Sequence, residues 1–260
     1  MDVTETLFEP IEHASVVDSV VNKIEDLILA GVLKDGMKLP SERELSERMK
    51  VSRPKLRDAL KRLEGHGLIV SRHGEGTFVA PLIGTAMSPA LVELYSRRSM
   101  AFLDYMEFRT EMEAFAASLA ADRATETDKA MIGQTIQAME SAHEANDNVA
   151  AEAADIHFHT SIMDASHNSL LIHTMTSIYD LTSRNIFFSR GFLLSHEGTG
   201  ERLIAQHKAI YQAIVDGKPD DARKASVEHL EFVKQSFIVD QDRERREAVS
   251  KRKMALSLNQ

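Results

Sequence analysis

The chain has no cysteine in 260 residues. That excludes a disulfide framework and any thiolate metal site, and it makes a cytoplasmic setting the simplest one. Long apolar runs are missing too. No segment approaches the roughly eighteen uncharged apolar residues of a membrane helix, and the opening MDVTETLFEP is acidic with no apolar core, so neither a membrane span nor a secretion signal is expected. Several catalytic signatures are absent: there is no His-Glu-x-x-His run, no phosphate loop and no Gly-x-Ser-x-Gly elbow. A di-iron carboxylate bundle wants two Glu-x-x-His pairs, and only Glu140 with His143 supplies one. A metal-dependent enzyme fused to another domain is therefore the weaker reading.

What is present is ordinary in bulk and uneven in distribution. The length allows two domains, and 43% hydrophobic with 27% charged residues fits a globular chain. Between Lys38 and Arg72 there are ten Lys or Arg against five Asp or Glu, a local +5 in a chain of net charge −9, so the remainder carries −14. A basic module on an acidic body suits a polyanion at one end only.

The basic stretch also has the outline of a winged helix-turn-helix. Ser41 with Glu44 forms a capping box, which predicts a helix over 42–49 with Leu45 and Met49 on its apolar face. Ser52 is placed to cap a second helix, with Pro54 in the first turn where a missing N–H costs nothing. Leu56, Ala59, Leu60 and Leu63 make its buried stripe, leaving Arg53, Lys55, Arg57 and Lys61 on other faces. The helix should end at Gly65 or Gly67. Two strands, 68–70 and 77–79, then flank a tight turn, His73-Gly74-Glu75-Gly76. A preceding helix is predicted over 16–30 from Val17, Val20, Val21, Ile24, Leu27 and Ile28, with Gly31 closing it.

Beyond the wing, PLIGTAMSP reads as a linker. From Leu91 onward almost everything reads helical, with breaks near Thr125, Asn146–Asn148, His167-Asn168, Gly191–Gly200 and Gly217–Pro219, which gives about seven helices and no strand pattern. The expected fold is mainly α: a winged helix-turn-helix over 10–80, a linker over 81–90, an all-α antiparallel helical bundle over 91–240, and a charged, solvated helical tail over 241–260.

The runs SERELSERMKVSRPKLRDALKRLEGHGLI and GEGTFV closely resemble the DNA-binding domain of the GntR family of bacterial transcriptional regulators. The resemblance implies Arg43, Arg53 and Arg57 as base or phosphate contacts, with Lys55 beside them, and His73 with Gly74 at a wing tip in the minor groove. The chemistry agrees, since arginine reads guanine bidentately in the major groove and glycine lets backbone approach closely. Pro54 and Lys55 replace the small hydroxyl residues of some members. FRTEMEAFAASLAA, DIHFHTSIMDASHNSLL and HKAIYQAIVDGKPDDARKASVEHL resemble the effector domain of the FadR-type subgroup. That domain implies six or seven helices around a ligand cavity, often with a bound metal. The SPALVEL run after the linker is similar to regulators answering to pyruvate, lactate or glycolate. An acyl-CoA sensor is the other ligand class in this subgroup.

Asp155 and His159 lie four apart on one predicted helix and can share an ion, while His207 and His229 lie on later helices. With 11 histidines, spacing alone does not single these four out. The subgroup's pattern does: Asp-x-x-Phe-His, a His before an Ala-Ile run and a His before Leu are filled by Asp155, His159, His207 and His229. An Asp with three imidazoles suits one divalent ion per chain, zinc first, with nickel, manganese or iron tolerable. His157 and His173 fall off the pattern. Arg109 stands where the resembling domain places an arginine that meets the effector's carboxylate; Arg184 and Arg190 are further pocket candidates. Asn168 reads as a helix cap. The whole implies a repressor that binds a palindromic operator as a homodimer under control of a small carboxylic acid.

Overall fold

The computed structural model describes residues 15–82, 99–183 and 199–257. The chain divides into two compact units, 1–84 and 85–260. Most of the 81–90 linker, the SPALVEL run, Arg184 and Arg190 lie outside the described residues.

In the N-terminal unit, α1 (Val16–Leu29), α2 (Glu42–Met49) and α3 (Arg53–Gly65) precede β1 (Ile69–Arg72) and β2 (Gly76–Val79). Val20, Val21, Ile24 and Ile28 of α1 pack against Leu56, Ala59, Leu60 and Leu63 of α3, with Leu39, Leu45, Ile69 and Val79 closing the core. Each large apolar side chain buried this way is worth about 1.5–3 kcal/mol. Half of the expected capping box forms at the α2 start: Ser41 Oγ accepts from the Glu44 backbone N–H at 3.3 Å, while the Glu44 carboxylate pairs with Arg48 one turn on. Ser52 departs from expectation. It occupies the N-cap of α3 but its side chain makes no capping bond, and Pro54, at the second helical position, has no N–H to offer one.

The wing differs from expectation in two ways. β1 begins at Ile69 rather than Leu68, since the Leu68 N–H bonds back to Leu63 O as part of the α3 C-terminus, and pairing continues to Arg72 opposite Gly76. A third segment joins the sheet. Leu39 N–H donates to Thr77 O at 2.8 Å and Val79 N–H to Met37 O at 2.9 Å, so the chain before α2 lines the free edge of β2.

The C-terminal unit is helical: α4 (Ser99–Arg123), α5 (Glu126–Glu144), α6 (Asn148–Ala165), α7 (Ser169–Ser183), α8 (Thr199–Val215) and α9 (Pro219–Ser257). That makes six helices among the described residues, where about seven were expected. Short turns between α4 and α7, and between α8 and α9, fold successive helices back on one another. α9 runs along α4, α5 along α6, and α8 against α9, α5 and α4. α4 carries Ala114, Ala116, Ala117, Ala120 and Ala121, all buried, so helices approach it closely on several sides. Thr125 and Asp128 form a reciprocal capping box on α5, and His167 Nε2 reaches Asp128 at 2.9 Å, tying the α6–α7 turn to α5. Asn168 caps α7 through the Leu171 N–H. In the tail region α9 continues unbroken past Asp240 as a solvated helical extension, its side chains exposed from Gln241 to Met254.

Candidate metal centre and DNA-reading face

Three helices converge on one point inside the C-terminal unit. α6 brings His159, α8 brings His207 and α9 brings His229, each 1–2% exposed, with one ring nitrogen from each within 4.8 Å of the others. Asp155, one turn before His159, stands beside them: its Oδ1 is 3.3 Å from His207 Nε2 and its Oδ2 3.6 Å from His159 Nε2. His157 is exposed and His173 half-buried, and neither belongs to the cluster.

The imidazoles are oriented from behind by groups the sequence reading did not assign. Glu113 on α4 accepts from His159 Nδ1 at 2.5 Å, which leaves Nε2 as the lone-pair nitrogen on the cluster side. That Nε2 is buried without a hydrogen-bond partner. Gln206 Oε1 sits 3.2 Å from His229 Nδ1 and sets that ring's tautomer in the same way. A partner on the far nitrogen is what metal-ligating histidines usually have. Burial pushes the His229 pKa well below the ordinary imidazole range, and His207 and His159 push it further; burial also lowers His159. Neutral imidazoles are the ligating form. Three nitrogens and a carboxylate oxygen therefore fit a tetrahedral divalent ion, and an orphaned Nε2 turned toward the other imidazoles fits it better than an apolar core.

Glu113 is also the hub of a buried polar network. Its Oε1 accepts from Arg109 Nε and from the Tyr179 hydroxyl, the latter at 2.6 Å. Burial alone would raise the Glu113 carboxyl; Arg109 and His159 overcome that and hold it well below the usual carboxylate range. Burial and Glu113 together raise the Tyr179 hydroxyl well above its ordinary value. Arg109 is buried rather than solvated, its guanidinium 5.6 Å from the Tyr179 ring, and its Nη2 has no hydrogen-bond partner.

A cavity of about 110 Å³ opens beside the cluster. Asp155, His207 and His229 form its floor, Leu203 and Val233 part of its wall, and the more exposed His143 and Asn146 its mouth. Arg109 is not among the residues lining it.

On the other unit, Arg43 is exposed on α2, and Arg53, Lys55 and Arg57 are exposed on α3, outside its buried stripe. Arg57 is tethered across the two helices, its Nε 2.7 Å from Glu42 Oε2. His73 and Gly74 are exposed in the β1–β2 turn, where Gly74 takes φ of 75°. A side chain at that φ would be strained, so glycine is required by the turn itself.

Comparison with known proteins agrees with this division. The family model described as bacterial regulatory proteins, gntR family, matches residues 16–79, and the FCD domain model matches 104–232. The Escherichia coli K12 Glc operon transcriptional activator is 33% identical over 87% of this chain and 90% of its own. An Escherichia coli K12 protein named for regulation of the L-lactate dehydrogenase operon is 36% identical, over 83% and 84%. The Bacillus subtilis 168 transcriptional regulator LutR is 33% identical, over 78% and 93%. These relatives are transcriptional regulators, not enzymes. With a helix-turn-helix unit of one model, an effector unit of the other and relatives matched over most of their length, the chain belongs to the gntR family of bacterial transcriptional regulators, in its FCD-containing, FadR-type subgroup.

Proposed function

We propose that this regulator is a homodimeric repressor of the cytoplasm whose operator binding is opposed by a small hydroxy- or oxo-carboxylate bound beside a divalent metal. The observation that carries the reading is the orientation of His159: Glu113 holds one nitrogen, and the other is buried and aimed at His207 and His229 on the floor of an open cavity. Asp155, His159, His207 and His229 would hold the ion, zinc first among the candidates. When bound, the metal supplies a Lewis-acidic centre for the acid's oxygens. The buried Nη2 of Arg109 offers a carboxylate a charge-assisted hydrogen bond, provided the acid lies against the imidazole cluster. The name of the L-lactate dehydrogenase relative supports a short acid over an acyl-CoA.

Arg43, Arg53, Lys55 and Arg57 would meet the major groove, and His73 with Gly74 the minor groove. One such module buries too little surface for operator-grade affinity, so two act on the halves of a palindrome. Ligand and DNA oppose each other reciprocally, because each acts only through its preference between two arrangements. The name of the Glc operon activator favours a second reading, in which ligand strengthens a productive DNA complex.

Calorimetry with lactate, glycolate and pyruvate on wild type, Arg109→Lys and EDTA-treated protein tests the effector site. Wild type should bind at least one acid, and both altered samples should bind it at least tenfold more weakly, since lysine keeps the charge and loses the planar fork. Equal affinity in Arg109→Lys removes that residue from the site; failure of every acid removes the ligand class. Adding the bound acid to an operator titration then separates release from reinforcement.

A further inference from the structure

The outer face of the wing sheet carries two cations that lie outside the DNA contacts named above. Lys38 and Val70 stand opposite Phe78 from either side, and Arg72 stands opposite Gly76. Residues directly opposite one another share a face of the sheet, and successive residues alternate between faces. Lys38, Phe78, Val70 and Arg72 therefore point one way, while Leu39, Ile69 and Val79 point the other, into the core. On the outer face the Arg72 guanidinium lies 4.6 Å from the Phe78 ring centroid and the Lys38 ammonium 5.9 Å from it. An aromatic face attracts a cation at this range and restricts where a long side chain rests.

Gly76, whose φ of 113° itself calls for glycine, leaves room for the lysine: a Cβ there would come within 2.9 Å of Lys38 Cε, so the end of the lysine side chain lies over Gly76, across from Arg72. Two cations thus border His73 and Gly74. Glu75, 3.8 Å from Arg72, forms with it only an exposed pair, which is weak in water and leaves the arginine's charge available to a phosphate.

We propose that Lys38 and Arg72, seated on Phe78 and over Gly76, form a phosphate clamp that grips the DNA backbone beside the wing. The clamp rests on the reading of the wing tip as a minor-groove element and adds to it a contact that positions without reading sequence. Such a contact is recognised by its salt dependence, because each neutralised phosphate releases counterions.

The test uses two probes: a duplex selected from a random pool by the wild-type protein, and a short mixed-sequence duplex. Affinity is measured across a salt series for wild type, for Lys38→Met with Arg72→Met, and for Lys224→Met with Lys251→Met, which removes the same charge from the C-terminal unit. The wing variant should show a log–log slope shallower by about 1.8 per protomer on both duplexes, with the preference between them kept and the control at the wild-type slope. Lys38→Arg with Arg72→Lys should restore the slope, which separates lost charge from a damaged fold. A wild-type slope in the wing variant, or the same shallow slope in the charge-conserving one, overturns the clamp. A lost preference at unchanged slope also overturns it, by making these residues base readers. Failure of the wild type itself to prefer its selected duplex would instead defeat the broader DNA-reading assignment.

Discussion

Replacing Glu113 by Gln probes the buried network and the candidate metal centre together. The carboxylate takes Arg109 Nε and the Tyr179 hydroxyl on one oxygen and His159 Nδ1 on the other. An amide has one acceptor oxygen and one donor nitrogen. If the oxygen stays with Arg109 and Tyr179, the amide nitrogen faces His159 Nδ1, donor against donor. The ring escapes by moving its proton to Nε2, the nitrogen that faces His207 and His229. The ligating lone pair is then lost, and metal affinity should fall about 10- to 100-fold, as for other outer partners of ligating histidines. The metal-free protein suffers separately. Arg109 keeps its charge in a site 2% exposed with its counter-ion gone, which costs about 3–5 kcal/mol. Tyr179→Phe is the matched control, since it removes one hydrogen bond worth about 1 kcal/mol and leaves the His159 tautomer alone. Chelator competition with zinc and urea unfolding of EDTA-treated protein measure the two effects. Wild-type zinc affinity in Glu113→Gln would refute the tautomer argument, and unfolding no weaker than in Tyr179→Phe would refute the buried-charge argument.

Three other outcomes are expected. Arg53→Ala should lose about 1–3 kcal/mol of operator affinity and relax sequence preference, while Lys61→Ala weakens all DNA modestly; equal losses on operator and random duplexes in a gel-shift titration would contradict a base-reading role for Arg53. Purified protein should carry about one divalent ion per chain, lost in His207→Ala and His229→Ala and kept in His173→Ala; elemental analysis showing full occupancy in the first two would count against the site. Burial opposes it, but the Thr125 hydrogen bonds and His167 hold the Asp128 carboxyl below its ordinary value. Its contribution, about 1 kcal/mol for a cap, is therefore present above the unfolded carboxylate pKa and lost as pH falls through the lower folded value; Asp128→Asn should flatten the acid limb of stability against pH, and an identical limb in denaturant titrations would rule the cap out as its source.

Local chemistry made much of the fold legible. Ser41 and Glu44 mark the start of α2, Thr125 marks α5, and the αL positions Asn146 and His167 end helices where the polar clusters in the sequence suggested breaks. The Leu68 boundary was misjudged because an apolar residue after Gly67 satisfies both a strand pattern and a helix C-terminus, and only the bond to Leu63 O decides between them. The edge pairing of residues 36–39 with β2 is not visible in a sequence, since Lys38-Leu39-Pro40 has no strand periodicity and its partner lies some forty residues away. At the candidate site, the four metal-set residues follow a pattern, but the groups that orient them do not. Arg109 and Glu113 form a plain i, i+4 pair, which on most helices is a solvated surface bridge. The signal that marks them as interior is the run of alanines from Ala114 to Ala121, which lets neighbours cover α4 on several sides. Gln206 carries no such signal; its role follows only from where α8 meets α9.

The unbroken course of α9 has a mechanical consequence. His229 sits near one end of a helix that continues to Ser257, and at about 1.5 Å per residue the helix end lies about 40 Å beyond the imidazole. No proline or glycine interrupts those residues to absorb a bend. A tilt of about 3° at His229, small enough for packed side chains to accommodate, would sweep the far end through about 2 Å by lever geometry alone. The exposed stretch past Asp240 is thus a pointer whose tip magnifies small changes at the cavity floor, and a spin label near Met254 would read them at the protein's surface.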